Sequence, residues 1–276
     1  MRLLVLLVIV AATGCSAPPK PSTAARQEAA LEANRKGEAY VRHGELENAA
    51  RSYREALRFS QALEDAEGIA ANAINLSIVR QRQGRFADAR ASLAAVLDQR
   101  NLKFSNARLA EVSLRQALLD LDEKNLAGAD DWMAKATGHC AERCPAGAAI
   151  HNVRAQLALQ AGRTDAAFLA ARSAHDASRA SGDQAEQANA LRLLGIVGLK
   201  NGDAASARQH LEQALAIDRE LGAPRKIALD LLALGQAAAL GGDRESARAY
   251  YARALAVGEA DRDVAVAAEA RALLAQ

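Results

Sequence analysis

Small and apolar residues return in one phase along most of this chain. After Gly44 come Ala49, Tyr53 and the pair Ala56-Leu57. After Gly84 the same offsets carry Ala89, Leu93, Val96 and Leu97. Gly202 and Gly242 open two further copies, GDAASARQHLEQAL and GDRESARAYYARAL, and Gly162 opens a weaker one, GRTDAAFLAARSA. Lys124 begins a degenerate copy, KNLAGADDWMAKA. The anchors at 44, 84, 124, 162, 202 and 242 lie 40, 40, 38, 40 and 40 residues apart. A fixed period of this size marks an array of stacked units, none of which can bury its apolar face alone.

Within a copy the apolar residues fall at steps of four and three, on one face of a helix. The spacing predicts two antiparallel helices per unit. In the first, helix A spans Thr23 to His43 and helix B spans Leu46 to Leu63, with Gly44 at the turn. Six units are expected at about 23–63, 66–100, 104–138, 146–181, 184–221 and 224–258, and a capping helix within 259–276, from Asp261 onward. In that cap Val266, Ala270 and Leu273 are spaced to cover the open end, while Arg262, Glu269 and Arg271 face water. A polar-backed cap is what a terminal unit of such an array needs. Outside residues 18–21 the only prolines are Pro145 and Pro224, both at unit boundaries. Since an interior proline costs about 3 kcal/mol, their placement supports uninterrupted helices. No β-branched or aromatic alternation suggests a strand. The fold class expected is an all-α superhelix, a solenoid of helix hairpins.

Composition sharpens this picture. Half of the 276 residues are apolar, yet aromatics are only 3%. Much of the apolar fraction is alanine, the best helix former and one that lets helix axes approach. Net charge is +2, and loss of residues 1–14 would leave +1. A near-neutral chain with interspersed charge makes no case for nucleic acid, which calls for a basic face.

The N-terminus reads as an address. Arg2 precedes the apolar run Leu3 to Ala12, and Thr13-Gly14-Cys15 follows. Ten helical residues would span about 15 Å, too little to cross a bilayer. An export signal is expected over residues 1–14. Small residues before a Cys resemble a bacterial lipoprotein box, although Ala12 stands where that family carries a larger aliphatic residue. The resemblance implies cleavage before Cys15, lipidation of Cys15 (palmitate among the chains), and a firm anchor because more than one chain is attached. Ser16 after the Cys implies the outer membrane, facing the periplasm, if the envelope has one. Residues 15–22 carry Pro18, Pro19 and Pro21 and are expected to be a semi-extended tether.

The repeats themselves resemble the tetratricopeptide repeat family, in a longer-helix form. Its order of Gly, bulky aromatic, Gly, Ala, bulky residue and Ala is met by Gly37, Tyr40, Gly44, Ala49, Tyr53 and Ala56. The fifth unit has Gly195, Gly202, Ala207, Leu211 and Ala214, and the sixth Gly235, Gly242, Ala247, Tyr251 and Ala254. Ser77 replaces the helix-A glycine in the second. The period exceeds the family's usual 34 residues, and the boundary prolines are fewer.

In that family helix A lines the concave surface. The resemblance therefore implies a partner-binding groove formed by Asn34, Arg35, Glu38, Asn75, Ile78, Arg82, Arg115, Asn152, Gln156, Asn189, Arg192, Leu193, Ile196 and Gln236. Amides suit the backbone of an extended peptide, and arginine can hold a carboxylate through two parallel bonds. Asn34 stands where members that read chaperone tails carry Lys, which argues against that ligand.

Other chemistry is sparse. Cys140 and Cys144 form an even pair in an exported chain, which favours a disulfide. A redox pair or a zinc site with His139 or His151 are the alternatives, but three residues separate the cysteines and the spacing is not that of a finger. The five histidines recur at no catalytic spacing, and no GxSxG or HExxH occurs. Trp132 is expected to pack. No cofactor, no metal and no enzymatic activity are expected. The function expected is a membrane-anchored scaffold of the bacterial cell envelope, an assembly or pilotin-like adaptor that holds another envelope protein or an extended peptide. The alternatives are an envelope redox or enzymatic factor using Cys140 and Cys144, and a structural lipoprotein that dimerises through Leu193, Ile196, Leu229 and Leu232.

Overall fold

The computed structural model describes residues 22–99, 101–140 and 144–275. The export signal, Cys15, the tether before Ser22 and Arg100 lie outside the described residues. Thirteen helices occur among them: α1 Thr23–Arg42, α2 Leu46–Ala62, α3 Ala66–Arg82, α4 Phe86–Leu97, α5 Asn106–Asp122, α6 Leu126–His139, α7 Gly147–Gln160, α8 Thr164–Ser181, α9 Gln184–Lys200, α10 Ala204–Glu220, α11 Pro224–Leu240, α12 Arg244–Ala260 and α13 Val264–Leu274. No strand is present among the described residues. Each odd-numbered helix pairs with the next to form a hairpin, and α13 closes the series against α12.

Curvature follows from a difference between the two rows. Helices α3, α5, α7, α9, α11 and α13 also pack on one another, whereas the even-numbered helices do not. The odd row is therefore the tight, inner one. Glycine makes the close approach within a hairpin possible. A Cβ on Gly37 would lie 2.7 Å from the Tyr53 ring, one on Gly195 2.5 Å from Leu211, and one on Gly235 2.3 Å from Tyr251. Ser77 takes the glycine's place in the second hairpin; it is fully buried and its hydroxyl has no partner.

The turns repeat as the motif does. Gly202 adopts φ 75°, the left-handed conformation that favours glycine. Lys124 adopts φ 59° at the same place in the third hairpin and keeps the turn without glycine. Aspartates cap many helix starts: Asp183 accepts from the backbone N–H of Glu186 at 3.0 Å, and Asp243 from Ser246 at 3.0 Å. Ser22, the last residue assigned to the tether, caps α1 in the same way by accepting from Ala25 at 3.2 Å.

The cap differs in its start. It begins at Val264, not Asp261, because Asp263 accepts from the backbone N–H of Val266 at 3.2 Å and so fixes the first turn. Val266 and Ala270 are buried as expected, and Leu273 is half-buried.

The irregular junction between α6 and α7 is closed by a Cys140–Cys144 disulfide, with a Cα–Cα distance of 5.1 Å. Both cysteines pack against a cluster that contains Met133 and Ile150. Trp132 packs at the edge of the same cluster, with the Lys135 ammonium 3.7 Å above its ring centroid. The loop is short, so its entropic contribution is roughly 2 kcal/mol. Cys140→Ser with Cys144→Ser should lower the unfolding free energy by about that amount, read from urea denaturation. An unchanged midpoint would show that the junction holds itself.

Candidate partner-binding groove

The inner helices carry the residues that the repeat phase assigns to a groove, and their neighbours sort them into two groups. Arg35, Glu38 and Gln236 are exposed, while Asn75, Ile78, Gln156, Asn189 and Ile196 are half-buried. These eight keep some surface for a partner. Arg35 also pairs with Glu32 at 3.0 Å on the same exposed face.

The remaining six are engaged within the array or buried in it. The Asn34 amide donates to Asn72 Oδ1 at 2.7 Å across the first junction. Asn152 is buried, and its amide donates to the backbone carbonyl of Glu186 at 3.0 Å and to its carboxylate at 2.7 Å. Leu193 is buried in a cluster with Ala155, Ala170 and Ala171. Arg192 is 7% exposed and lies between two carboxylates. Its Nε donates to Asp230 at 2.6 Å, and its outer nitrogen pairs with Asp218. These positions hold unit to unit, which corrects the assignment of Asn34, Asn152, Arg192 and Leu193 to a free groove. The physical reason is shared phase: the face that looks along the inner row also looks at the next hairpin. Burial of Leu193 and Leu232 likewise removes half of the apolar face that dimerisation would need.

Arg192 belongs to a network that sequence reasoning missed. Asn189 Oδ1 accepts from Arg192 at 3.0 Å and from the Lys226 ammonium at 2.9 Å. Burial, with the charge of Arg192, lowers the Lys226 ammonium to about 8. Burial raises the Asp230 carboxyl well above the ordinary carboxylate range, against the pull of Arg192 and with the push of Asp218. One signal was legible: Asp230 interrupts an apolar run, between Leu229 and Leu231-Leu232. An acid at a buried phase needs a partner.

Arg115 and Arg82 are the two remaining arginines of the set. Arg115 is 9% exposed, and its Nε and one terminal nitrogen have no partner. Burial brings its guanidinium down to about 10, with Asp122 opposing. Arg82, in the last turn of α3, donates to Asp261 at 3.0 Å from the far end of the chain.

No group of three metal-ligating side chains occurs among the described residues, and no helix there is long and apolar enough to cross a membrane. What the inner row presents is a curved strip of separate amide, charged and apolar contacts. That arrangement defines an α-α superhelix. Residues 186–260 match the tetratricopeptide repeat family, and the chain as a whole has the fold of a tetratricopeptide-repeat solenoid. No curated protein sequence matches the chain.

Among solved structures, the Rap protein complexed with competence and sporulation factor is similar at a TM-score of 0.64 and 17% identity, covering 90% of this chain and 70% of that one. BtubC from P. vanneervenii is similar at 0.53 and 23%, covering 86% and 92%. PilW, a type IV pilus biogenesis factor, is similar at 0.50 and 19%, covering 75% and 92%. These likenesses concern the fold.

Proposed function

We propose that the protein is a lipid-anchored scaffold of the bacterial cell envelope whose inner helix row holds an extended segment of another envelope protein. The observation that carries the reading is the strip of inner residues that keep surface, Glu38, Ile78, Ile196 and Gln236, which runs from the first hairpin to the last. Polar and apolar contacts at repeat spacing suit a long, thin occupant with modest affinity per contact. The lipoprotein-type sequence around Cys15 supports an anchor in the outer membrane facing the periplasm, with a proline-rich tether to the first hairpin. The fold shared with a pilus biogenesis factor supports an adaptor or pilotin-like role in envelope assembly. The Cys140–Cys144 pair reads as structural, since it closes a helix junction and packs against apolar side chains.

Crosslinking in intact envelopes followed by purification tests this reading. One or a few envelope proteins should be enriched, and Glu38→Lys together with Ile196→Asp should lose them without loss of helicity. Enrichment of nothing, or enrichment that the double variant leaves unchanged, would reject the groove. Radiolabelled palmitate should reach the wild-type chain and not Cys15→Ser.

A further inference from the structure

The two ends of the array touch. Arg82 of α3 and Asp261 of the loop between α12 and α13 are 179 residues apart in sequence, and their side chains pair at 3.0 Å. The pair is sheltered, with the Asp261 side chain 2% and that of Arg82 13% exposed. Beside it the turn at Gly44 meets the same loop. A Cβ placed on Gly44 would lie 2.3 Å from the Asp261 carbonyl oxygen and 3.2 Å from Arg262 Cβ. The superhelix therefore closes on itself through a seam made of one turn, one loop and one ion pair.

The seam is thin. Among the described residues, helices pack on their neighbours in the array and no helix pair packs substantially across the seam. A sheltered ion pair roughly offsets its own desolvation, so it holds a geometry without adding much stability. Asp261 bears this out: burial raises its carboxyl above the ordinary range, Arg82 and Arg225 pull it down, and Asp263 pushes it up.

The seam also leaves donors unmet. Arg82 Nε and Gln83 Nε2 are buried without partners, and so is Oδ1 of Asp261, so the ion pair leaves both of its members partly unmet. Arg82 already holds one carboxylate, supplied by the chain itself. We propose that Asp261 is a latch and an internal stand-in for the partner: an acidic segment entering the inner groove takes Arg82 in its place and opens the superhelix. This rests on the groove reading above and adds to it the partner's chemistry, an acidic extended peptide, and a closed resting state.

Small-angle X-ray scattering on the full chain tests the latch without a known partner. Asp261→Lys sets like charges together and should raise the radius of gyration, as should Arg82→Glu. The exchange of both should restore the wild-type value. Gly44→Ala and Gly84→Ala share a left-handed turn, φ 67° and 73°, but only the first meets the seam, since nothing lies within 4 Å of a Cβ on Gly84. Gly44→Ala alone should expand the molecule. The probe for release is an amidated Glu-rich decapeptide with its Gln-rich counterpart as control. The acidic peptide should expand the wild type, bind Asp261→Lys at least tenfold tighter, and lose binding in Arg82→Gln. An unchanged radius in Asp261→Lys would overturn the latch. Equal expansion by the Gln-rich peptide, or no binding of the acidic one to the opened variant, would overturn its release by acid. Failure of the groove itself is read separately, from the envelope crosslinks.

Discussion

Arg192→Ala is expected to lower the unfolding free energy by about 3 to 5 kcal/mol, the range for breaking a buried ion pair by removing one partner. The loss arises from what remains. Asp230 is fully buried and Asp218 nearly so, and both would be left facing each other without the guanidinium, with only the Lys226 ammonium near Asp218. The junction affected lies between the last two hairpins, where α9, α10 and α11 meet. Arg192→Leu combined with Asp218→Leu and Asp230→Leu should recover much of the loss, because apolar replacement of all three groups leaves no uncompensated charge. Urea denaturation of the three proteins measures this. A loss below about 1 kcal/mol for Arg192→Ala would mean that water reaches the carboxylates.

The same site sets a pH dependence with a definite sign. Burial raises the folded-state pKa of Asp230 to about 7, from an ordinary 3.8. A raised carboxyl contributes stability that is complete below the unfolded value and is lost as pH rises through the folded one. The stability difference between wild type and Asp230→Asn should therefore shrink or reverse between about pH 4 and pH 7. A difference that grows with pH would show that Arg192 outweighs burial.

Gly235→Ala is the second large effect, about 2 to 3 kcal/mol by the usual cost of overpacking a core. Its Cβ would lie 2.3 Å from Cε1 and 2.5 Å from Cδ1 of Tyr251, a ring that is itself 6% exposed and cannot swing into solvent. Three other hairpins show the tolerance of the arrangement. Ser77 has a Cβ at this place and faces a hairpin whose bulky residue is Leu93, not a ring. Ala117 and Ala155 hold the place in the third and fourth. Gly235→Ala with Tyr251→Leu should thus recover part of the loss. Thermal unfolding reads both, and a single variant within about 0.5 kcal/mol of wild type would mean that the ring slides freely.

Much of the molecule was legible before any coordinates. The phase of Gly, Ala and bulky residues placed the hairpins because each repeats a local requirement: a left-handed turn, a small residue at a close crossing, a large one beside it. The Cys140–Cys144 closure was legible from an even pair at short range. The degenerate third unit kept its turn because lysine can adopt the left-handed conformation at a cost that the array bears.

Periodicity alone determined that this is a row of helix hairpins, and the family resemblance implied which helices line the inside. Only the tertiary structure decided which inward residues are free. Repeat phase places Arg35 and Leu193 at equivalent positions, two residues before the helix-A glycine, yet one is exposed and the other is buried against Ala155, Ala170 and Ala171. Those alanines belong to the neighbouring hairpin, so their approach depends on the rotation between units. The meeting of Arg82 with Asp261 depends on that rotation summed along the whole array. Small angles that no single motif specifies accumulate into closure, and for that reason the seam is invisible in the sequence.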